Sequence, residues 1–183
     1  MNLKWLLFCP QLPSTPSSPR VTVWRRMRAA GSVGLDNGLW ILPRSEDSEK
    51  IIQDVKSYIE AQGGSSKTFL ADAFDPATEN EIVERFHQDR AQEYGEILEQ
   101  CNDFLAEIDK ESLNQNFTFA EYEENEQDLN KLEDWFEKVR KRDFLGGSDS
   151  SEALSGVEKC RQALQGFATE VFNHEKFHQD GGE

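Results

Sequence analysis

Cysteine is scarce. The 183 residues hold three, Cys9, Cys101 and Cys160, widely separated and in neither CxxC nor metal-ligand spacing. That excludes a disulfide-stapled scaffold and a thiolate zinc module, and the odd count agrees with a reducing compartment. Long apolar runs are missing as well. The opening run "LKWLLF" is broken by Pro10 and Pro13, too short for a signal peptide's apolar region or a membrane span. A cytoplasmic protein without a membrane partner is therefore expected. Catalytic signatures are equally thin, since no GxSxG, Walker loop or HExxH is present. Histidine occurs at 87, 174 and 178 only. His174 and His178 sit four apart, which a helix could turn into a two-ligand face, but they lie on a terminal segment read as fraying. Glu84, His87 and Asp89 form a set that any solvated helix of this composition generates. The expectation is a protein that is not an enzyme, with no metal and no cofactor.

Positive charge is in short supply overall, with 20 Lys and Arg against 35 Asp and Glu, a net charge of −15. It is also unevenly placed. Residues 1–70 carry nine basic and six acidic side chains, a net of +3, whereas residues 71–183 carry eleven and twenty-nine, a net of −18. The acidic half repels polyanions, and its field attracts a basic surface on the same or a second molecule. Solvated helix faces account for the same acidity. Hydrophobic residues make up 37% and charged residues 30%, a balance that suits a compact part joined to long solvated helices.

The first part reads element by element. "LKWLLFCPQL" is a continuous apolar run ending at prolines, the pattern of a buried strand. Ser18 and Pro19 read as N-cap and first helical position of "RVTVWRRMRAA", with Val23, Trp24, Met27 and Ala30 on one side and Gly31 at the stop. Asn37 and Gly38 between apolar residues predict a tight type I′ hairpin turn joining strands near 33–35 and 39–42. "SEDSEKIIQDVKSYIEAQGG" predicts a helix capped by Ser45 or Ser48, with Ile51, Ile52, Val55 and Ile59 as its stripe. "SSKTFLADAF" predicts a last strand. Strand, helix, hairpin, helix, strand is the βαββαβ order of a ferredoxin-like α+β domain, assigned to residues 1–76.

From 77 to 183 the texture changes to three helical patterns, read as an antiparallel bundle or hairpin. Val83, Phe86, Arg90, Tyr94, Ile97, Cys101, Phe104 and Ile108 step by three or four. Tyr122, Leu129, Leu132, Phe136 and Val139 form the second series, and Val157, Cys160, Leu164, Phe167 and Val171 the third. Such stepping buries a narrow seam between helices. The first helix, at about thirty residues, would reach roughly 45 Å.

The residues with the most chemistry are basic and clustered. Arg20, Arg25, Arg26 and Arg28, with Arg44 after the hairpin, carry guanidinium forks that match phosphates and tetrahedral oxyanions. Trp24 and Trp40 supply rings that pack beneath them or stack on a base. The competing reading pairs these arginines with the protein's own Asp and Glu. Lys138, Arg140, Lys141 and Arg142 form a second cluster at a helix end, where the macrodipole favours cations.

The segment "KWLLFCPQLPSTPSSPRVTVWRRMRAAGSVGLDNGLWILP" resembles the N-terminal domain of ChrB, the regulator of bacterial chromate-resistance operons. The shared pattern is an opening W-L-L strand, a P-S-x-x-R-V helix start, a W-R step and a G-x-W-x-L-P hairpin. "DRAQEYGEILEQC" and "ENEQDLNKLEDWFEKVRKRDFLG" extend the resemblance along nearly the whole chain. A looser similarity runs to the central domain of PaaX-type repressors and, through them, to the small ferredoxin-like nucleases of CRISPR adaptation. The resemblance implies a DNA-associated transcriptional regulator whose candidate partners are operator DNA, chromate or a similar oxyanion, and a second copy in a homodimer. Arg20, Trp24 and Arg25 fall on its motif positions, with Arg26 and Arg28 beside them. A non-enzymatic interaction or dimerisation module and an oxyanion sensor are the alternatives. Members usually carry a second, C-terminal domain, to which nothing in these residues corresponds. The nucleases need a carboxylate at the end of their first strand, where this chain has Cys9, Pro10 and Gln11, so nuclease chemistry is not implied.

Overall fold

A computed structural model describes residues 3–35 and 38–180, with side chains throughout except at 148 and 176–180. Its elements, in chain order, are β1 (Trp5–Gln11), α1 (Ser18–Ala29), β2 (Val33–Gly34), β3 (Trp40–Pro43), α2 (Glu46–Ala61), β4 (Ser65–Ala71), α3 (Pro76–Leu113), α4 (Phe119–Lys141) and α5 (Ser148–Asp180). The fold is α+β: four antiparallel strands in the order β2-β3-β1-β4, and five helices. The chain divides into two compact units, residues 1–88 with 142–145, and residues 89–141 with 146–183.

In the first unit, β1 lies inside the sheet. Trp5 pairs with Pro43 on one side and Ala71 on the other, and Phe8 with Trp40 and Thr68. A central strand buried on both faces needs apolar residues at both parities, which explains "WLLF". Leu6, Phe8, Trp40 and Leu42 face one way and pack against Val23 and Met27 of α1 and Ile52, Val55 and Ile59 of α2. Trp5, Val33 and Ile41 face the other way, onto Phe86 near the start of α3. Each such fully buried side chain contributes on the order of 1.5–3 kcal/mol.

Local chemistry fixes the ends of these elements. The helix α1 begins one residue earlier than its sequence signal, with Ser17 at the N-cap. The Ser17 backbone is already helical, φ −80° and ψ −18°, and its hydroxyl caps nothing; Pro19, with no N–H to satisfy, takes over the start. At the other end Gly31, at φ +75°, lets its N–H reach the Arg28 carbonyl while the Ser32 N–H reaches Met27. This is a Schellman closure, and the Ser32 hydroxyl adds a 2.6 Å bond to the same Met27 carbonyl. Ser45 caps α2, its hydroxyl accepting from the Ser48 N–H at 3.0 Å, with Glu46, Asp47 and Glu49 in the first turn. Gly64 then admits the chain past β1: a Cβ there would lie 2.6 Å from the Gln11 carbonyl oxygen. Of the expected hairpin turn, Asn37 lies outside the described residues, while Gly38 has φ +75°.

The second unit is helical. Tyr94, Ile97, Cys101, Phe104 and Ile108 of α3, Leu129, Leu132, Phe136 and Val139 of α4, and Val157, Cys160, Leu164, Phe167 and Val171 of α5 form one core. The three seams read from the sequence therefore meet. The series is not uniform, because Phe86 packs in the sheet unit while Tyr94 packs here. At 38 residues α3 exceeds the length that its pattern implied. At one point α3 and α5 come very close, since a Cβ on Gly156 would sit 3.0 Å from Leu98 Cδ2 and 3.2 Å from Cys101 Sγ.

Candidate nucleic-acid interface

The periodicity of α1 decides which of its cations face solvent. Pro19, Val23 and Met27, at steps of four, point into the sheet unit. Arg20, Trp24 and Arg28 follow one residue behind each, and Val21 and Arg25 lie beside them; all five are exposed. The sequence pattern sets Trp24 with Val23 on the apolar side, and the structure corrects this. One residue of offset rotates the side chain by about 100°, and Trp24 is 55% exposed.

The arginines differ in how they are held. Arg20 donates to the Ser14 carbonyl at 2.8 Å, which braces it against the loop before α1. Arg26 lies on another side of the helix, over the ring of Tyr58 of α2 at 4.3 Å from the centroid. That cation–π contact is worth about 0.5–1 kcal/mol where solvent reaches it, and it ties the two helices together. Arg44 donates to Glu49 at 2.7 Å, a half-exposed pair near the start of α2. Arg25 is exposed and has no charge partner among the described residues. A guanidinium left in this way is the most available for an outside anion.

Beside this face lies a cleft of about 470 Å³. Gln11 and Leu12 at the end of β1 form one wall, Arg20 and Trp24 of α1 the other, and Gly38 and Trp40 close it. Trp24 also lines a shallower cleft of about 330 Å³ with Ser17, Arg20 and Val21. The structure thus brings together Arg20, Trp24, Gly38 and Trp40, which are scattered over two motifs in the sequence. Arg25 and Arg28 lie outside the cleft's lining, as does Arg44, just before the start of α2. Sequence reading missed Gln11 and Leu12, whose place at a strand end gives no periodic signal.

Cys101 and Cys160 are buried in the helical core, with the Cys160 thiol donating to the Cys101 carbonyl at 3.5 Å. The neighbouring Cys101 thiol, with burial adding to it, pushes the Cys160 thiol well above the ordinary range, and the same neighbourhood holds Cys101 down. Arg140 pairs with Glu137 at 2.7 Å near the end of α4. Among the described residues no group of three or more His, Cys, Asp or Glu is placed to hold a metal ion, and no helix is long and apolar enough to cross a membrane.

The family model described as "Protein ChrB, N-terminal" matches residues 20–178. The chain belongs to the ChrB N-terminal family. All six candidate residues, Arg20, Trp24, Arg25, Arg26, Arg28 and Arg44, lie within the matched span. Among curated proteins the chain is similar to protein ChrB of Cupriavidus metallidurans, 29% identical over 94 residues. That match covers 51% of this chain and 28% of the relative, so most of the relative's length lies outside it. No solved structure matches the chain.

Proposed function

We propose that the protein is a DNA-associated transcriptional regulator of the chromate-resistance type, acting in the cytoplasm without catalysis of its own. In this reading α1 meets nucleic-acid phosphate through Arg20, Arg25 and Arg28, with Trp24 beside them as a stacking surface. The observation that carries it is the exposed Arg20–Trp24–Arg25 face, where Arg25 has no charge partner among the described residues. Membership of the ChrB N-terminal family supports the same reading. The strand order β2-β3-β1-β4, with α1 and α2 packed on one face, supports placing the first unit among ferredoxin-like domains. Arg26 and Arg44 act mainly within the unit, through Tyr58 and Glu49. An oxyanion such as chromate is the weaker candidate ligand, because among the described residues a single guanidinium, that of Arg20, lines the cleft.

Phosphate contacts release counterions, so binding to duplex DNA weakens steeply with salt, by a slope of about 0.9 per contact in log–log form. The test is fluorescence anisotropy with DNA from upstream of the protein's own gene, across a salt series. Arg20→Ala and Arg25→Ala are each expected to weaken binding and to lower that slope by about one. Unchanged affinity and slope in both variants would overturn the assignment of α1. No binding by the wild-type chain would overturn the DNA reading itself.

A further inference from the structure

Strand β4 is an edge. It pairs with β1 over all seven of its residues and, among the described residues, with no other strand, leaving one side of its backbone open. Natural edges are usually blunted by proline, bulges, charge or brevity. This one has no proline and a single charge, Lys67, and it displays Phe69 at 52% and Leu70 at 54% exposure. The two point to opposite faces, since Phe69 pairs with Leu7 and Leu70 with Leu6. An edge apolar on both faces is a template for another extended strand.

We propose that β4 pairs antiparallel with β4 of a second copy of this chain, about a two-fold axis through Phe69, joining two four-stranded sheets into one of eight. The register follows from symmetry, because an axis normal to the sheet keeps opposed residues on one face. Phe69 then meets its own equivalent, and Lys67 meets Ala71, so like charges never oppose. Leu70 of each copy falls opposite Thr68 of the other. Thr68 borders a cleft of about 290 Å³ between β4 and α2, lined by Leu6 and Ile52 together with Glu49, Gln53 and Lys56, and that leucine falls beside it. Ser66 supplies an independent observation. Its hydroxyl is buried without a hydrogen-bond partner among the described residues, and the register sets Asp72 of the second copy, a carboxylate that its own Lys4 holds at 2.7 Å, opposite it. The same carboxylate lies next to the residue that faces Lys67.

A second copy fits better than another occupant. At the other edge β2 offers two residues among those described, and β4-to-β2 contact would propagate as an open filament rather than close. An interface of one strand pair is small, so a weak dimer is expected. This proposal does not depend on DNA binding and is tested without DNA.

Sedimentation equilibrium across a wide concentration range reads it directly, with hydrogen exchange of β4 amides at the two extremes. The wild type is expected to double in mass at high concentration and dissociate on dilution, and its β4 amides to slow in the dimer. The double variant Phe69→Lys/Leu70→Lys sets like charges into the pairing and is expected to weaken association by about tenfold or more. Its far-ultraviolet circular dichroism should stay unchanged. A wild type that remains monomeric throughout, or a dimer whose β4 amides exchange as fast as the monomer's, would overturn the proposal whether or not the variant folds. So would a folded variant that dimerises as tightly as the wild type.

Discussion

Trp5 and Phe86 stack, their ring centroids 5.7 Å apart and their planes 20° from parallel. One belongs to the central strand, the other to the helix that follows the sheet, and both are buried. The face of the sheet away from α1 and α2 is therefore covered by residues that the chain supplies only after β4 is complete.

Removing that ring should be costly. Phe86→Ala is expected to destabilise the first unit by about 3–5 kcal/mol, because it opens a cavity against Trp5, Val33 and Ile41. Denaturant unfolding followed by tryptophan fluorescence measures it. A loss below about 1 kcal/mol would mean that the second face is not held in this way.

Two glycines of α5 should respond in opposite directions to the same substitution. Nothing lies within 4 Å of a Cβ built on Gly166, so Gly166→Ala is expected to stabilise by about 0.5–1 kcal/mol through helix propensity. Gly156→Ala meets Leu98 and the buried Cys101 sulfur, and overpacking of this kind costs about 1–3 kcal/mol, which outweighs the same gain. Thermal melts of the two variants, with helix content checked by circular dichroism, decide the ordering.

The start of α3 carries a pH dependence with a definite sign. Asp75 accepts from the Thr78 N–H at 2.9 Å and from the Thr78 hydroxyl at 3.1 Å. These bonds, the backbone one foremost, hold its pKa below the ordinary 3.8. A carboxyl whose folded pKa is depressed stabilises above its unfolded value and loses that contribution as pH falls through the folded one. Asp75→Ala should therefore lower the melting temperature near neutral pH. The gap to wild type should close in acid below 3.8, and a gap constant with pH would show that the carboxylate's charge is not involved.

Much of this architecture can be read from residue order. The helix α2 announces itself through Ser45, an acidic first turn and Ile52, Val55 and Ile59, and β1 through apolar residues at both parities. The second cover of β1 could not be read, because Phe86 and Tyr94 keep the same helical step although they serve different cores. Periodicity reports which side of a helix is apolar and nothing about what lies against it. At the candidate interface, the cluster of arginines was plain, but their division was not. Tyr58 holds Arg26 from another helix, and Glu49 engages Arg44. Trp24 follows Val23 directly, so a coarse reading joins two residues that the helix turns apart.

The close pass at Gly64 bears on how the cleft at Trp24 would receive a ligand. With the Gln11 carbonyl oxygen 2.6 Å from where a β-carbon on Gly64 would stand, and Gln11 paired with Ser65 in the ladder, the end of β1 is held against the start of β4 rather than free to swing as a flap. Ser65 donates to the Gln11 side chain at 3.3 Å, pinning it further. One side of the cleft is thus a fixed jamb. A guest must match a shape already cut, spending little entropy on moulding the receptor, and selection among guests falls to their outline as much as to their charge.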